Sequence, residues 1–186
     1  MIAGLHKGRI LKAVKGLTVR PAADRVKQTV FDILAARRDL EGMKVLDLFA
    51  GSGSLGIEAL SRGAAHVTFV EHNEEAARSI EENVHMLGLE RKVTLYTLDA
   101  LGFLSRNTSS YDIVFVDPPY IFDGANDIPR IVFSQKVLNP RGYMVFEHST
   151  DTTFDSTALF AVWPVKKFGR TVVTFFQHPM TESRTS

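Results

Sequence analysis

The 186-residue chain has no cysteine and a single tryptophan. Without thiols there can be no disulfide, cysteine zinc site, iron–sulfur cluster or thiol nucleophile. Its six histidines are scattered, with neither H-x-x-x-H nor H-E-x-x-H spacing, so no metal site is expected. No apolar run approaches the roughly 20 residues of a membrane span, and Met1 is followed by no long apolar signal core. The expected location is therefore the cytoplasm, with no membrane partner. Internal repeats and low-complexity tracts are absent as well. What is present is 45% hydrophobic residues, enough for one globular domain with a sizeable core.

The net charge of +1 is unevenly spread. Lys7, Arg9, Lys12, Lys15, Arg20, Arg25 and Lys27 face only Asp24 within residues 1–27, whereas the remainder holds 15 basic and 20 acidic residues. Cations concentrated at one end of an otherwise acidic protein suggest a polyanionic partner such as nucleic acid, with Lys7, Arg9, Lys12, Arg20 and Arg25 as contacts. An ordinary solvated face is the alternative. Ile2, Leu5, Ile10, Leu11 and Val14, interrupted by Gly4, Lys7 and Gly8, predict a short β-hairpin with a basic turn. The expected organisation is a basic arm over 1–20, a main domain over 21–180 and a frayed tail over 181–186.

From Ala22 the apolar spacing turns helical through Val26, Val30, Ile33 and Leu34 as far as Arg37 and Arg38. Strands are then predicted at 44–49, 66–71, 92–97, 112–116 and 143–148, with helices at 54–62, 74–87, 100–106 and 127–137 between them. That alternation means an α/β fold, a largely parallel sheet with helices on both faces. Two last β-rich runs, 158–165 and 171–177, are separated by Lys166, Lys167 and Gly169 and predict an antiparallel hairpin at the sheet's edge.

In such a sheet ligands bind beyond the carboxyl ends of the strands, where the strand order reverses, so the residues just after each strand carry the chemistry. The first strand runs V-L-D-L-F into A-G-S-G-S-L-G, where Gly51, Gly53 and Gly56 fit G-x-G-x-x-G, a turn that lets backbone approach a nucleotide-like ligand. Asp47 would repel a pyrophosphate but attract a cation, which favours S-adenosylmethionine over a dinucleotide; the alternative is an acid that merely caps the turn. Glu71 lies twenty positions after Gly51, where an acid accepts from ribose hydroxyls, unless it serves the start of the next helix with Glu74 and Glu75. Asp99 either accepts from an adenine amine or caps the helix that begins at Ala100.

The fourth strand ends in Asp117, Pro118, Pro119 and Tyr120. Two successive prolines remove two backbone donors and hold the chain extended. The Asp117 carboxylate and the Pro118 carbonyl can then both accept from one NH2 group, while Tyr120 offers a ring on which a base stacks, worth about 1 to 3 kcal/mol. A base amine is a poor nucleophile because its lone pair is delocalised into the ring. Two acceptors on its hydrogens return density to nitrogen. A proline-rich turn closing a strand is the bland alternative, and the motif itself does not say whether the amine is guanine N2, adenine N6 or cytosine N4. A non-catalytic RNA-binding protein of the same fold and a dinucleotide oxidoreductase are the rival classes.

These motifs resemble the class I S-adenosylmethionine-dependent methyltransferases that modify exocyclic amines. More narrowly, the chain resembles the ribosomal small-subunit methyltransferase D family (RsmD), which acts on a guanine N2 of 16S ribosomal RNA. The likeness is carried by I-A-G and G-R-x-L at the start, R-P-A-A-D-R-V-K-Q-T-V-F-D-I-L, V-L-D-L-F-A-G-S-G-S-L-G-I-E-A-L-S-R-G-A, V-E-H-N and V-F-V-D-P-P-Y. The resemblance implies a Rossmann-like seven-stranded sheet with its last strand antiparallel. It places Asp47, Gly51 and Gly53 at the methionine end of the cofactor, Glu71 at the ribose, Asp99 at the adenine and Asp117 to Tyr120 at the target base, with Ala50, Ser52, His72 and Ala100 as further cofactor-binding residues. It also implies 16S ribosomal RNA or an assembling small subunit as partner of a monomeric enzyme. Where the family has R-P-T-x-D-R-V-R-E, this chain has Ala22, Ala23, Lys27 and Gln28. Lysine does not replace arginine where two-pronged phosphate contact matters.

Overall fold

The apolar runs become strands because helices cover both of their faces. In the computed structural model, which describes residues 1–14, 21–119 and 122–179, helix α1 (Pro21–Ala35) leads into β1 (Lys44–Leu48), α2 (Ser54–Ser61), β2 (His66–Val70) and α3 (Glu74–Leu87). Then come β3 (Val93–Tyr96), α4 (Ala100–Arg106), β4 (Tyr111–Val116), α5 (Ile128–Ser134), β5 (Leu138–Ser149), β6 (Ala161–Phe168) and β7 (Thr171–Gln177). The strands form one seven-stranded sheet in the order β3-β2-β1-β4-β5-β7-β6. β7 runs antiparallel to β5 and β6, and the remaining pairs are parallel. The hairpin expected at the sheet's end forms, with β7 inserted beside β5 and β6 left as the edge.

Side chains alternate across the sheet. Val45, Ile113 and Phe115 point to one face and pack with Val30 and Phe31 of α1, Ile57 of α2 and Ile80 of α3. Leu46, Val114 and Val116 point to the other and pack with Leu104 of α4 and Val132 of α5. The order reverses between β1 and β4, so the carboxyl ends of these two strands border the crevice.

Three expectations need correction. The amino-terminal hairpin does not form over residues 1–14, which contain no strand. This segment closes on itself through Gly8 N–H to Met1 O at 3.1 Å, with Gly4 and Gly8 at positive φ. Its backbone is then satisfied by side chains of the main domain: Glu58 accepts from Ile2 and Ala3 at 2.8 and 2.9 Å, and Asn83 accepts from Lys12 at 2.7 Å. The helix expected over 127–137 spans only Ile128–Ser134, because Lys136 at φ 56 breaks the spiral. β5 starts at Leu138 rather than at 143: Asn139 to Gly142, which read as a loop, lie within the strand across a register shift opposite Tyr111 and Ile113.

Among the described residues no helix is long and apolar enough to cross a membrane.

Candidate active site

The turn after β1 is built from unusual backbone. Phe49 has φ 61, rare for a residue with a side chain, and Gly51 and Gly53 follow at φ 54 and 75. Ala50 N–H donates to Val70 O at 3.1 Å, and Ala50 O accepts from Gly53 N–H at 2.7 Å. Gly56 opens the packing of α2 on the sheet, since a Cβ there would lie 2.3 Å from Cε1 of Phe69. A Cβ on Gly51 would instead meet nothing within 4 Å, so open space lies against the backbone of this turn.

Asp47 is 1% exposed, and its Oδ2 accepts the Gly56 N–H at 2.9 Å. The turn-capping reading of this acid is therefore correct as far as that oxygen goes. Burial pushes its carboxyl up to about 8, with the Gly56 hydrogen bond opposing and the Glu71 charge adding to the rise. Glu71 is also buried; its Oε2 accepts from Gly51 N–H and its Oε1 from Asn73 N–H, both at 2.8 Å. His72 Nδ1 lies 3.3 Å from the same carboxylate. Glu71 thus ties the glycine turn to the end of β2.

Asp99 caps α4 through Oδ1 to Gly102 N–H at 2.8 Å, with Ala100 buried behind it. Asp117 follows β4 at the cleft mouth, its side chain open to solvent. Desolvation, then the charges of Glu147 and Asp47, raise its carboxyl well above the usual range. Solvent at the mouth weakens the first effect, so the two like charges carry the direction. The register sets Leu48 beside Val70 and Val116, so Glu71 and Asp117, the next residues after β2 and β4, flank the carboxyl end of the strand that carries Asp47. Pro119 O accepts from Phe122 N–H at 2.8 Å, and the Phe122 ring meets Phe49 edge-on at 4.9 Å. That contact joins the loop after β4 to the glycine turn. Tyr120 and Arg20 lie outside the described residues.

Lys7, Arg9, Lys12 and Arg25 are exposed, and Lys12 pairs with Glu82 at 3.1 Å. Several residues escaped the reading of the sequence. Glu147 on β5 and Lys27 on α1 line, with Asp117, a cavity between α1 and the strand ends. Asn83, fully buried on α3, donates to Lys12 O at 3.1 Å and to Ser52 O at 3.3 Å, connecting arm and glycine turn. No local pattern marks it, because its partners are 71 and 31 residues away.

The site fits a cationic nucleoside. The raised carboxyls of Asp47 and Asp117 would be favoured in their ionised form by a positive charge nearby, and the open space at Gly51 admits a ligand against the backbone. Among the described residues no cluster of His, Cys, Asp and Glu could hold a metal ion.

Comparison with known proteins identifies the family. A family model described as "Conserved hypothetical protein 95" matches residues 1–177. Ribosomal RNA small subunit methyltransferase D of Haemophilus influenzae is 36% identical over 154 residues, covering 81% of this chain and 79% of that protein. A solved Escherichia coli structure superposes with a TM-score of 0.85 at 30% identity, covering 97% of this chain and 98% of that one. Magnesium protoporphyrin IX methyltransferase of Synechocystis, solved with bound S-adenosylmethionine, shares the fold at a TM-score of 0.66 and 15% identity, over 89% of this chain and 88% of its own. From its first strand to its last, this chain belongs to the ribosomal RNA small subunit methyltransferase D family.

Proposed function

We propose that the protein methylates the exocyclic N2 amine of a guanine in 16S ribosomal RNA, as naked RNA or within an assembling small subunit. The observation that carries this reading is the position of Asp117 and the Pro118 carbonyl just after β4, whose end is paired with the end of β1, where Asp47 sits and the glycine turn begins. S-adenosylmethionine supplies an electrophilic methyl group on a sulfonium.

The chain's own part is placement and electrostatics. Asp117 and the Pro118 carbonyl accept the two N–H bonds of the amine, which returns density to nitrogen and aims it at the methyl. The N–C bond forms as the C–S bond breaks, and one N–H proton then leaves the product nitrogen. Asp117 is suited to receive it, since its carboxyl holds a proton more strongly than an ordinary aspartate. A cation in the cleft keeps Asp117 ionised before transfer. Tyr120 supplies the stacking surface in this reading.

The test is transfer of labelled methyl to 16S ribosomal RNA lacking its native methylation, followed by nucleoside analysis. N2-methylguanosine at one position is the expected product. N6-methyladenosine or N4-methylcytidine would replace the substrate assignment, and no incorporation into RNA would remove it.

A further inference from the structure

A second cationic surface lies at the opposite end of the sheet from the carboxylate cleft. Arg37 and Arg38 follow α1, Arg141 projects from the early part of β5, and together with Tyr143, Gln177 and His178 they line a groove of about 500 Å³. Among the described residues no acidic side chain lines it. All three arginines are exposed, and among the described residues none makes an ion pair.

Cations near a helix carboxyl end are favoured by the helix dipole without any ligand, which would account for Arg37 and Arg38 alone. The third guanidinium comes from a different element. Arg38 Nη1 reaches Arg141 O at 3.4 Å, so α1 and β5 hold their arginines side by side. The Cζ of the Arg37 guanidinium lies over the ring of Trp163 of β6, 3.5 Å from the ring centroid. Stacking occupies its face and leaves the N–H edge available, the arrangement in which arginine grips phosphate oxygens. His178 is not a free donor here, since its Nε2 lies 3.2 Å from Leu138 O.

The groove shares a helix with the active site. Val26 and Lys27, near the start of α1, line the cavity beside Asp117, while the arginines follow its other end. From Val26 to Ala35 a helix rises about 14 Å. We infer that this groove binds the phosphate backbone of the ribosomal RNA substrate, anchoring it one helix length away from the reacting base. The inference rests on the RNA reading of the active site, and its test does not require methyl transfer.

Trp163 is the only tryptophan in the chain, so its fluorescence reports on Arg37. Titration with unmodified 16S ribosomal RNA should change that emission saturably. Arg38→Gln with Arg141→Gln should weaken RNA binding at least tenfold at low salt and flatten the log–log salt dependence by about 1.4, two contacts at about 0.7 each on single-stranded RNA. S-adenosylmethionine affinity and melting temperature should stay at wild-type values. If the double variant does not fold, Arg141→Lys against Arg141→Gln decides, since only a phosphate contact is partly kept by the lysine. Unchanged RNA affinity and slope would overturn the inference. So would a loss seen with assembled subunits but not with naked RNA, which would mean a protein contact. A wild type that binds RNA through this groove yet transfers no methyl would leave the groove standing and remove the catalytic reading.

Discussion

Glu71 accepts the Gly51 N–H on one oxygen and the Asn73 N–H on the other, each at 2.8 Å, and so clamps the turn after β1 to the residue that caps α3. A glutamine has one acceptor and would set an NH2 against the second N–H. A buried donor left unpaired costs about 1 to 3 kcal/mol. Glu71→Gln should therefore lower S-adenosylmethionine affinity about tenfold and speed hydrogen exchange at Gly51 and Asn73; wild-type affinity by calorimetry would show that the clamp is dispensable.

Asp117→Ala removes the acceptor assigned to the target amine without touching the glycine turn. Transfer should fall by at least about 100-fold, the lower range for losing a positioned acid–base group, with little change in cofactor affinity. Turnover near wild type would take Asp117 out of its role.

The raised Asp47 carboxyl links stability and binding to pH. Between its ordinary value of 3.8 and about 8 the folded protein keeps a proton that the unfolded chain has lost, so stability falls as pH rises across that window and levels off above it. Asp47→Asn keeps an acceptor for the Gly56 N–H and cannot ionise. The variant should flatten this slope and melt higher than wild type at pH 9 when no cofactor is bound. A cation beside Asp47 favours the carboxylate, so S-adenosylmethionine should bind wild type with release of a proton at pH 7. Calorimetry in two buffers of different ionisation enthalpy measures that release, and identical heats would argue against it.

Two glycines of the same turn should fail differently. An alanine at Gly56 drives its methyl into Phe69, a fully buried ring. Overpacking of this kind costs about 1 to 3 kcal/mol, visible as a lower denaturation midpoint. At Gly51 the added methyl meets no protein atom, but φ 54 strains it by about 1 to 2 kcal/mol. Gly51→Ala should remain folded and lose cofactor affinity by more than Gly56→Ala does.

The alternation of strands and helices was legible because parallel strands buried on both faces leave continuous apolar runs such as Ile113 to Val116. The acids after the strands were legible because the topology sends every ligand-facing residue to the same end. What local pattern missed was work done across long distances. Leu5 and Ile10 looked like hairpin residues yet are 85% and 87% exposed, because Glu58 and Asn83, more than fifty residues away, hold that segment by its backbone. Asp47, Glu71 and Asp99 were assigned to a ligand or to the fold as alternatives, and each carboxylate does accept a backbone N–H. The groove at Arg141 was hidden because Pro140 and Gly142 read as a connector rather than as part of β5.

β7 pairs with six residues of β5, Met144 to Ser149, yet it is made after every other strand. During translation β5 lacks this neighbour and β6 has no strand to pair with, so β5 offers bare N–H and C=O groups to any passing strand. Nascent chains stalled before Thr171 should accordingly be the most chaperone-dependent and aggregation-prone species in this protein's biosynthesis, and arrival of the last strand acts as a keystone rather than as trim.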